Sequence, residues 1–457
     1  VTEENALSPA VPAGSPEART GTVPADFGRF VRAAHEAGRL VVQPRMGFSD
    51  PARMRRGLTA TRNARATTVG TLTLDSYTRV GDMAAVEEAL RLGTGINGYP
   101  IVNYSPEQTR EVLAGLHGPA FPVQVRHGSA KPFHIFEALV RAGLSATEGG
   151  PVSYCLPYGR TPLDQSVREW DRSTKLFSRL RESGVEPHLE SFGGCMLGQL
   201  CPPSLLVAIS ALEALFFHRN GIRSISVSYA QQTHPEQDAE AVAALRALCA
   251  RLLPDTVWHV VIYTYMGVYP TTDAGSYRLL GEAARLAARS GSERIIVKTV
   301  AESRRIPTIE ENVAALEYAS DVAADEAGVP ALAAGAGDRP PATEALARSD
   351  SQTYTEAAAL VDAVLNLHDD VGQALLLAFK RGYLDVPYCV HPDNMGRARS
   401  FIDGTGRLRW ATTGALPIGR VADASGNRRV TSRELLEALT YIQRTFDDEA
   451  FRSPLPG

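Results

Sequence analysis

Short β-branched runs alternate with longer amphipathic ones from about residue 25 to residue 326, and no other feature narrows the possible folds as far. The strand candidates are RLVVQPR, TVGTLTLDSYTR, YPIVNY, PVQVRHG, ATEGGPVSY, PHLESFG, SISVSYAQ, HVVIYTYM and RIIVKT. Between most of them lie segments such as DMAAVEEALRLG, KPFHIFEALVRAG, SLLVAISALEALFFHRNG and SYRLLGEAARLAARSG, with apolar residues at three- and four-residue spacing and a closing glycine. Eight or nine such alternations predict an α/β chain whose parallel strands close into a (β/α)8 TIM-type barrel. A doubly wound open sheet is the competing solution for the same pattern.

The alternation also divides the chain. Residues 1–24, rich in Ala, Pro, Gly and Ser, read as a disordered N-terminal extension, and 25–326 as the barrel carrying the active site. An Ala, Gly and Pro bias over 327–350 reads as a linker or surface excursion, and 351–457 as an appended C-terminal mixed α+β lobe. A net charge of −4 with 21% charged residues argues against nucleic-acid or membrane-surface binding, which call for a basic excess. There is no apolar run of about eighteen residues to cross a bilayer, and the first residues lack a signal-peptide layout. The five cysteines are odd in number and form no CxxC pair, as expected in a reducing cytoplasm.

In a parallel barrel, chemistry gathers where strands end at their carboxyl side. Polar residues at those ends are Arg45, Arg79, Arg126, Glu148 with Tyr154 and Tyr158, Glu190, and Lys298 with Glu302. A single strand-end arginine is more often the partner of an acid on the next helix. Three with few acids nearby would leave a positive field suited to an anion, and the planar guanidinium fork matches carboxylates or phosphate. Glu148 would then complement an ammonium group, so an acidic amino acid fits the set. Tyr154 and Tyr158 would add neutral hydrogen bonds and exclude water, or else simply pack beneath a loop.

Other motifs fail their context. GTGING (Gly93–Gly98) matches GxGxxG but follows a helical pattern instead of a strand, so it reads as a helix-ending turn. No HxxxH or HExxH occurs, and no metal site is expected.

With QPRMG, LDSYTR, NGYPIVNY, RHG, EGGPVSYCLPY and IVKT in this order, the chain resembles the epsilon subunit of glutamate mutase (methylaspartate mutase) from about residue 39 to its tail. The resemblance implies a (β/α)8 barrel and an isomerase, the adenosylcobalamin-dependent mutase that converts L-glutamate to threo-3-methyl-L-aspartate. It implies that Arg45, Arg79 and Arg126 clamp the substrate carboxylates, that Glu148 takes the ammonium, and that Tyr154 and Tyr158 line the site. Lys298 and Glu302 would hold the ribose of the cofactor's adenosyl group, with Asn97 and Met266 also lining the cofactor site.

The cobalamin-binding DxHxxG pattern is absent. NLHDDV (Asn366–Val371) comes nearest but lacks its first aspartate and its glycine, and lies in a helical pattern. The cobalt would therefore be ligated by a histidine of a small partner subunit, with this chain forming a homodimer. The chain departs from the family at HLESFGGCMLGQLCPP, at VAES after Lys298, and at IYTY before Met266. A cobalamin-independent lyase or aldolase acting on a dicarboxylate, or a non-catalytic barrel partner, are the other readings.

Overall fold

The structure, a computed structural model, describes residues 24–157, 159–195, 200–328, 351–422 and 428–452. The predicted extension thus lies outside the described residues up to residue 23, as do 329–350 of the predicted linker. Eight parallel strands form one sheet: β1 (Val41–Pro44), β2 (Gly70–Thr73), β3 (Val123–Arg126), β4 (Ala146–Gly149), β5 (His188–Ser191), β6 (Ser224–Ala230), β7 (Val257–Tyr263) and β8 (Arg294–Val297). From β2 to β8 each pairs with its neighbour in sequence, and β1 pairs with β8. The seam between β1 and β2 is closed by a parallel bridge of Val42 with Thr68 and by the Thr73 N–H donating to Met46 O at 3.0 Å. The sheet is a barrel, and the open doubly wound alternative is excluded.

The helices follow their sequence signals. Asp50 caps α2 (Pro51–Asn63), and Ser105 with Gln108 forms a capping box on α5 (Pro106–Leu113). Glycines in the left-handed region end α6 (Phe133–Ala142) and the short α3 (Ser76–Val80), where a side chain would be strained. The remaining outer helices are α4 (Met83–Arg91), α7 (Leu163–Ser178), α8 (Pro203–Arg219), α9 (Pro235–Leu252), α10 (Asp273–Arg289) and α11 (Ile309–Gly328). GTGING does follow a helix, with Gly93 at φ 66°.

Two expectations change. YPIVNY is a turn, not a strand, because β2 meets β3 on one edge and the β1 seam on the other, leaving no free ladder. Tyr99 makes only an isolated bridge with Leu74, and Pro100 has no N–H with which to extend it. TVGTLTLDSYTR leaves the sheet at Thr73, since Asp75 accepts from Thr78 N at 2.8 Å and starts α3. Arg79 therefore sits on a helix, not on a strand end.

α8 is apolar on nearly every face and is buried from Pro203 through Phe217. A helix of that kind needs cover on both sides. The barrel wall supplies one, and the C-terminal α12 (Gln352–Leu365) and α13 (Val371–Arg381) supply the other. NLHDDV is the connection between these two helices, with Asp370 capping α13, so its predicted helical setting is corrected. β9 (Arg399–Ile402) and β10 (Leu408–Thr412) form an antiparallel pair, followed by α14 (Ser432–Leu439) and α15 (Tyr441–Arg452). The appended lobe shares the barrel's main apolar core: Leu360, Leu375 and Phe379 join the cluster of Leu212 and Val227. Among the described residues no helix is long and apolar enough to cross a membrane.

The barrel interior is polar. Gln43, Thr71, Gln124, Glu190, Ser226 and Arg294 are all buried at its centre, where branched apolar side chains usually fill such barrels. Gln43 Nε2 donates to Gln124 Oε1 at 2.7 Å, and Ser226 Oγ to Glu190 Oε2 at 3.0 Å. Arg294 pairs with Glu190 and donates to Gln43. α1 (Phe27–Glu36) brings Phe27 within 4.9 Å of the Arg294 guanidinium, against the amino end of this network.

Candidate active site

Above that layer, towards the carboxyl ends of the strands, strand alternation presents a second set of side chains. Arg126 on β3 donates from Nε to Glu148 Oε2 on β4 at 2.8 Å, with 6% and 2% of their side chains exposed. Tyr154 donates to the other carboxylate oxygen of Glu148. Tyr263, the last residue of β7, donates to Glu148 Oε2 at 2.6 Å and is also hydrogen-bonded to Glu190 Oε1. Burial alone would lower the Arg126 pKa, but the Glu148 carboxylate more than compensates and holds it well above its ordinary value. Burial, with the two acids added, pushes the Tyr263 phenol well up.

The turn after β4 explains the two adjacent glycines. Gly149 has φ +135°, and a Cβ there would come within 2.4 Å of the Trp170 ring and 2.5 Å of Tyr154. A Cβ on Gly150 would meet the Glu213 carboxylate at 2.1 Å. Without side chains at these two positions the chain folds tightly back over Trp170 and aims Tyr154 at Glu148. His127 stacks on Trp170 and meets Tyr154 edge-on, and burial pulls its pKa down to about 3, leaving it neutral.

A second cluster lies on the rim. Arg45, one residue past β1, pairs with Glu302 at 3.0 Å. Glu302 also accepts from Thr299 N at 3.0 Å, on the turn after β8. Both line a cleft of about 500 Å³ together with Thr73 and Asn97. Asn97 Oδ1 accepts from Ser76 N and Oγ, each at 3.1 Å. The Lys298 ammonium stands 4.0 Å from the centre of the Tyr269 ring. Burial, then the Arg45 charge, lowers the Lys298 pKa to about 8. Among the described residues, three buried polar atoms in or near this cluster have no hydrogen-bond partner: Arg45 Nε, Thr73 Oγ1 and Thr299 Oγ1.

The structure thus brings together Arg126, Glu148 and Tyr154, and separately Arg45, Glu302, Asn97 and Lys298. Arg79 joins the first group through the chain: its Nε donates to His127 O at 3.0 Å, and it lines a second cleft with Tyr154. Met266 is half-buried against the main core. Tyr158 lies outside the described residues. The expectation of arginines with few acids nearby is corrected: Arg45 and Arg126 each hold a carboxylate, and Arg126, so far removed from water, needs that partner.

Sequence reading missed Tyr263, Arg294 and Glu213. The sequence did carry a signal for the polar interior that Arg294 joins. VQVR, HLES and SISVS place polar residues at every second position of strands that are buried on both faces, which marks a polar barrel interior.

The profile described as Methylaspartate mutase E chain matches residues 24–448. The glutamate mutase epsilon subunit of Halobacterium salinarum is 30% identical over 356 residues, covering 76% of this chain and 71% of that protein. The subunit of the same name from Treponema denticola is 29% identical over 357 residues, with the same two coverages.

Proposed function

The chain belongs to the methylaspartate mutase E chain family, and from that premise we propose that it is the catalytic subunit of an adenosylcobalamin-dependent glutamate mutase, an isomerase that interconverts L-glutamate and threo-3-methyl-L-aspartate. The observation that carries this reading is the buried Arg126–Glu148 pair at the barrel mouth. Opposite charges side by side complement the head of an amino acid, whose ammonium and carboxylate are also neighbours. The ammonium goes to Glu148, and the adjacent carboxylate takes N–H groups of Arg126. The second carboxylate is left for Arg79 or Arg45. Tyr154, held on Glu148, lines the bound substrate and excludes water, a role the resemblance also gives to Tyr158.

The rim cleft supports a place for the adenosyl part of the cofactor. Thr73 Oγ1 and Arg45 Nε in its lining, with Thr299 Oγ1 on the adjoining turn, have no partner among the described residues and suit a ligand rich in hydroxyls and ring nitrogens. Lys298 and Glu302 would hold the ribose, with Asn97 and Met266 lining the remainder. Adenosylcobalamin, when bound, supplies the radical that starts the carbon-skeleton rearrangement. This chain's own residues then need provide no strong acid or base. Charge-assisted hydrogen bonds, each worth about 1.5–3 kcal/mol, keep a fragmenting substrate in place.

DxHxxG does not occur in the sequence, so the lower cobalt ligand comes from a small partner subunit in a heterotetramer built on a dimer of this chain. The five free, buried thiols suit the cytoplasm. The test is reconstitution with a DxHxxG-bearing subunit, adenosylcobalamin and L-glutamate. Formation of 3-methylaspartate that disappears when any one component is omitted supports the reading. No product from the complete, folded complex overturns it.

A further inference from the structure

Tyr263 stands between two buried carboxylates from neighbouring strands, 2.6 Å from Glu148 Oε2 and hydrogen-bonded to Glu190 Oε1. Glu148 and Glu190 are direct register partners on β4 and β5. Glu148 is 1% exposed and Glu190 fully buried. Two carboxylates this close in a dry site ordinarily cannot both ionise, and one of them takes up a proton. Arg126 flanks one and Arg294 the other. The phenol completes the set: its single proton serves one carboxylate at a time, and its oxygen lies 3.5 Å from Arg126 Nη2.

We infer that Tyr263 is a positioning residue that keeps Glu148 and Glu190 ionised side by side, so that an incoming ammonium group meets a full negative charge at Glu148 and no proton has to leave. The inference rests on the proposed function for the identity of the ligand, but not for the charge state of the carboxylates.

The charged and titratable groups facing this pair are Arg126, Arg294, Tyr154, Tyr263, Cys195 and His188. Burial pushes the Cys195 thiol well up and pulls His188 down to about 3, so neither changes charge near neutrality. Removing the phenol therefore leaves the two carboxylates themselves as the groups that respond.

The test compares wild type with Tyr263→Phe, both as the full complex. In the ligand-free infrared difference spectrum at pH 7, variant minus wild type, one additional protonated carboxyl stretch is expected beyond those of Glu213 and Asp238, which burial raises to about 7 in both proteins. The double variant Tyr263→Phe/Glu190→Gln is expected to lose it again. In titrations with L-glutamate, wild type is expected to bind with no net proton exchange between pH 6 and 8. The variant is expected to release close to one proton and to weaken about tenfold per pH unit on the acid side. A variant without the additional protonated carboxyl overturns the inference, as does a wild-type protonated carboxyl stretch that Glu190→Gln removes. If wild type binds no glutamate, the proposed function fails while the infrared comparison still decides the role of Tyr263. If Tyr263→Phe does not fold, the difference between wild type and Glu190→Gln decides alone.

Discussion

Glu213, on α8, reaches the turn after β4 and accepts from the backbone N–H and the hydroxyl of Ser153, at 2.8 and 2.9 Å. It accepts from Val152 N as well, at 3.0 Å. A residue of the outer helix layer thus holds the segment that carries Tyr154 onto Glu148.

Burial raises the Glu213 pKa from 4.5 to about 7. A carboxyl raised in the folded state favours folding below its unfolded value, and that contribution disappears as pH rises through 7. The whole effect is on the order of 3 kcal/mol at most. Glu213→Gln keeps an acceptor for the turn and removes the titration. Its stability by urea denaturation is expected to change less than wild type's between pH 4.5 and 7.5. Parallel curves for the two proteins would show that Glu213 does not titrate in that range.

Arg126→Lys keeps the charge but not the forked geometry that serves Glu148 and a ligand carboxylate together. Turnover in the reconstituted complex is expected to fall on the order of a hundredfold, with the fold retained. Arg126→Ala leaves Glu148 buried without a counter-charge, and a loss of about 3–5 kcal/mol in stability is expected. Wild-type turnover in Arg126→Lys would make the residue purely structural.

Lys298, with its pKa lowered to about 8, loses its charge just above neutrality. If its ammonium holds the cofactor's ribose, affinity for adenosylcobalamin is expected to fall as pH rises past 8, and Lys298→Arg to remain flat there. Stability moves the other way. A depressed lysine favours folding above its unfolded value of about 10.4, and that contribution is lost as pH falls through 8. Spectrophotometric titration of the complex at pH 7, 8 and 9 checks the first effect and thermal melts the second.

The isolated chain is expected to bind adenosylcobalamin weakly, and to bind it tightly once a DxHxxG-bearing subunit is added. Equilibrium dialysis of the pure chain measures this directly. Tight binding without the partner would put the cobalt ligand on this chain and discard the two-subunit arrangement.

The barrel and its capped helices were legible because their signals are local. Period-two runs bounded by glycine, a cap acid such as Asp50 or Asp75, and the all-apolar α8 each declare themselves within a few residues. Arg126 and Glu148 could be placed near one another for the same reason, since each sits near the carboxyl end of one of two successive strands. YPIVNY was misread because a local β pattern cannot tell whether a ladder is still free, and β2 already lies between β3 and the β1 seam.

The amino-acid sequence by itself determined the alternation, the family and the side chains available at the mouth. Only the closed barrel decided which charges neutralise which. Arg45 meets Glu302, Arg294 meets Glu190 and Tyr263 bridges two acids across strands that are far apart in the chain. Such pairings depend on register and closure, and for the fully buried Arg294 and Glu190 burial makes them compulsory: a charge taken out of water must find a partner wherever the fold has put one.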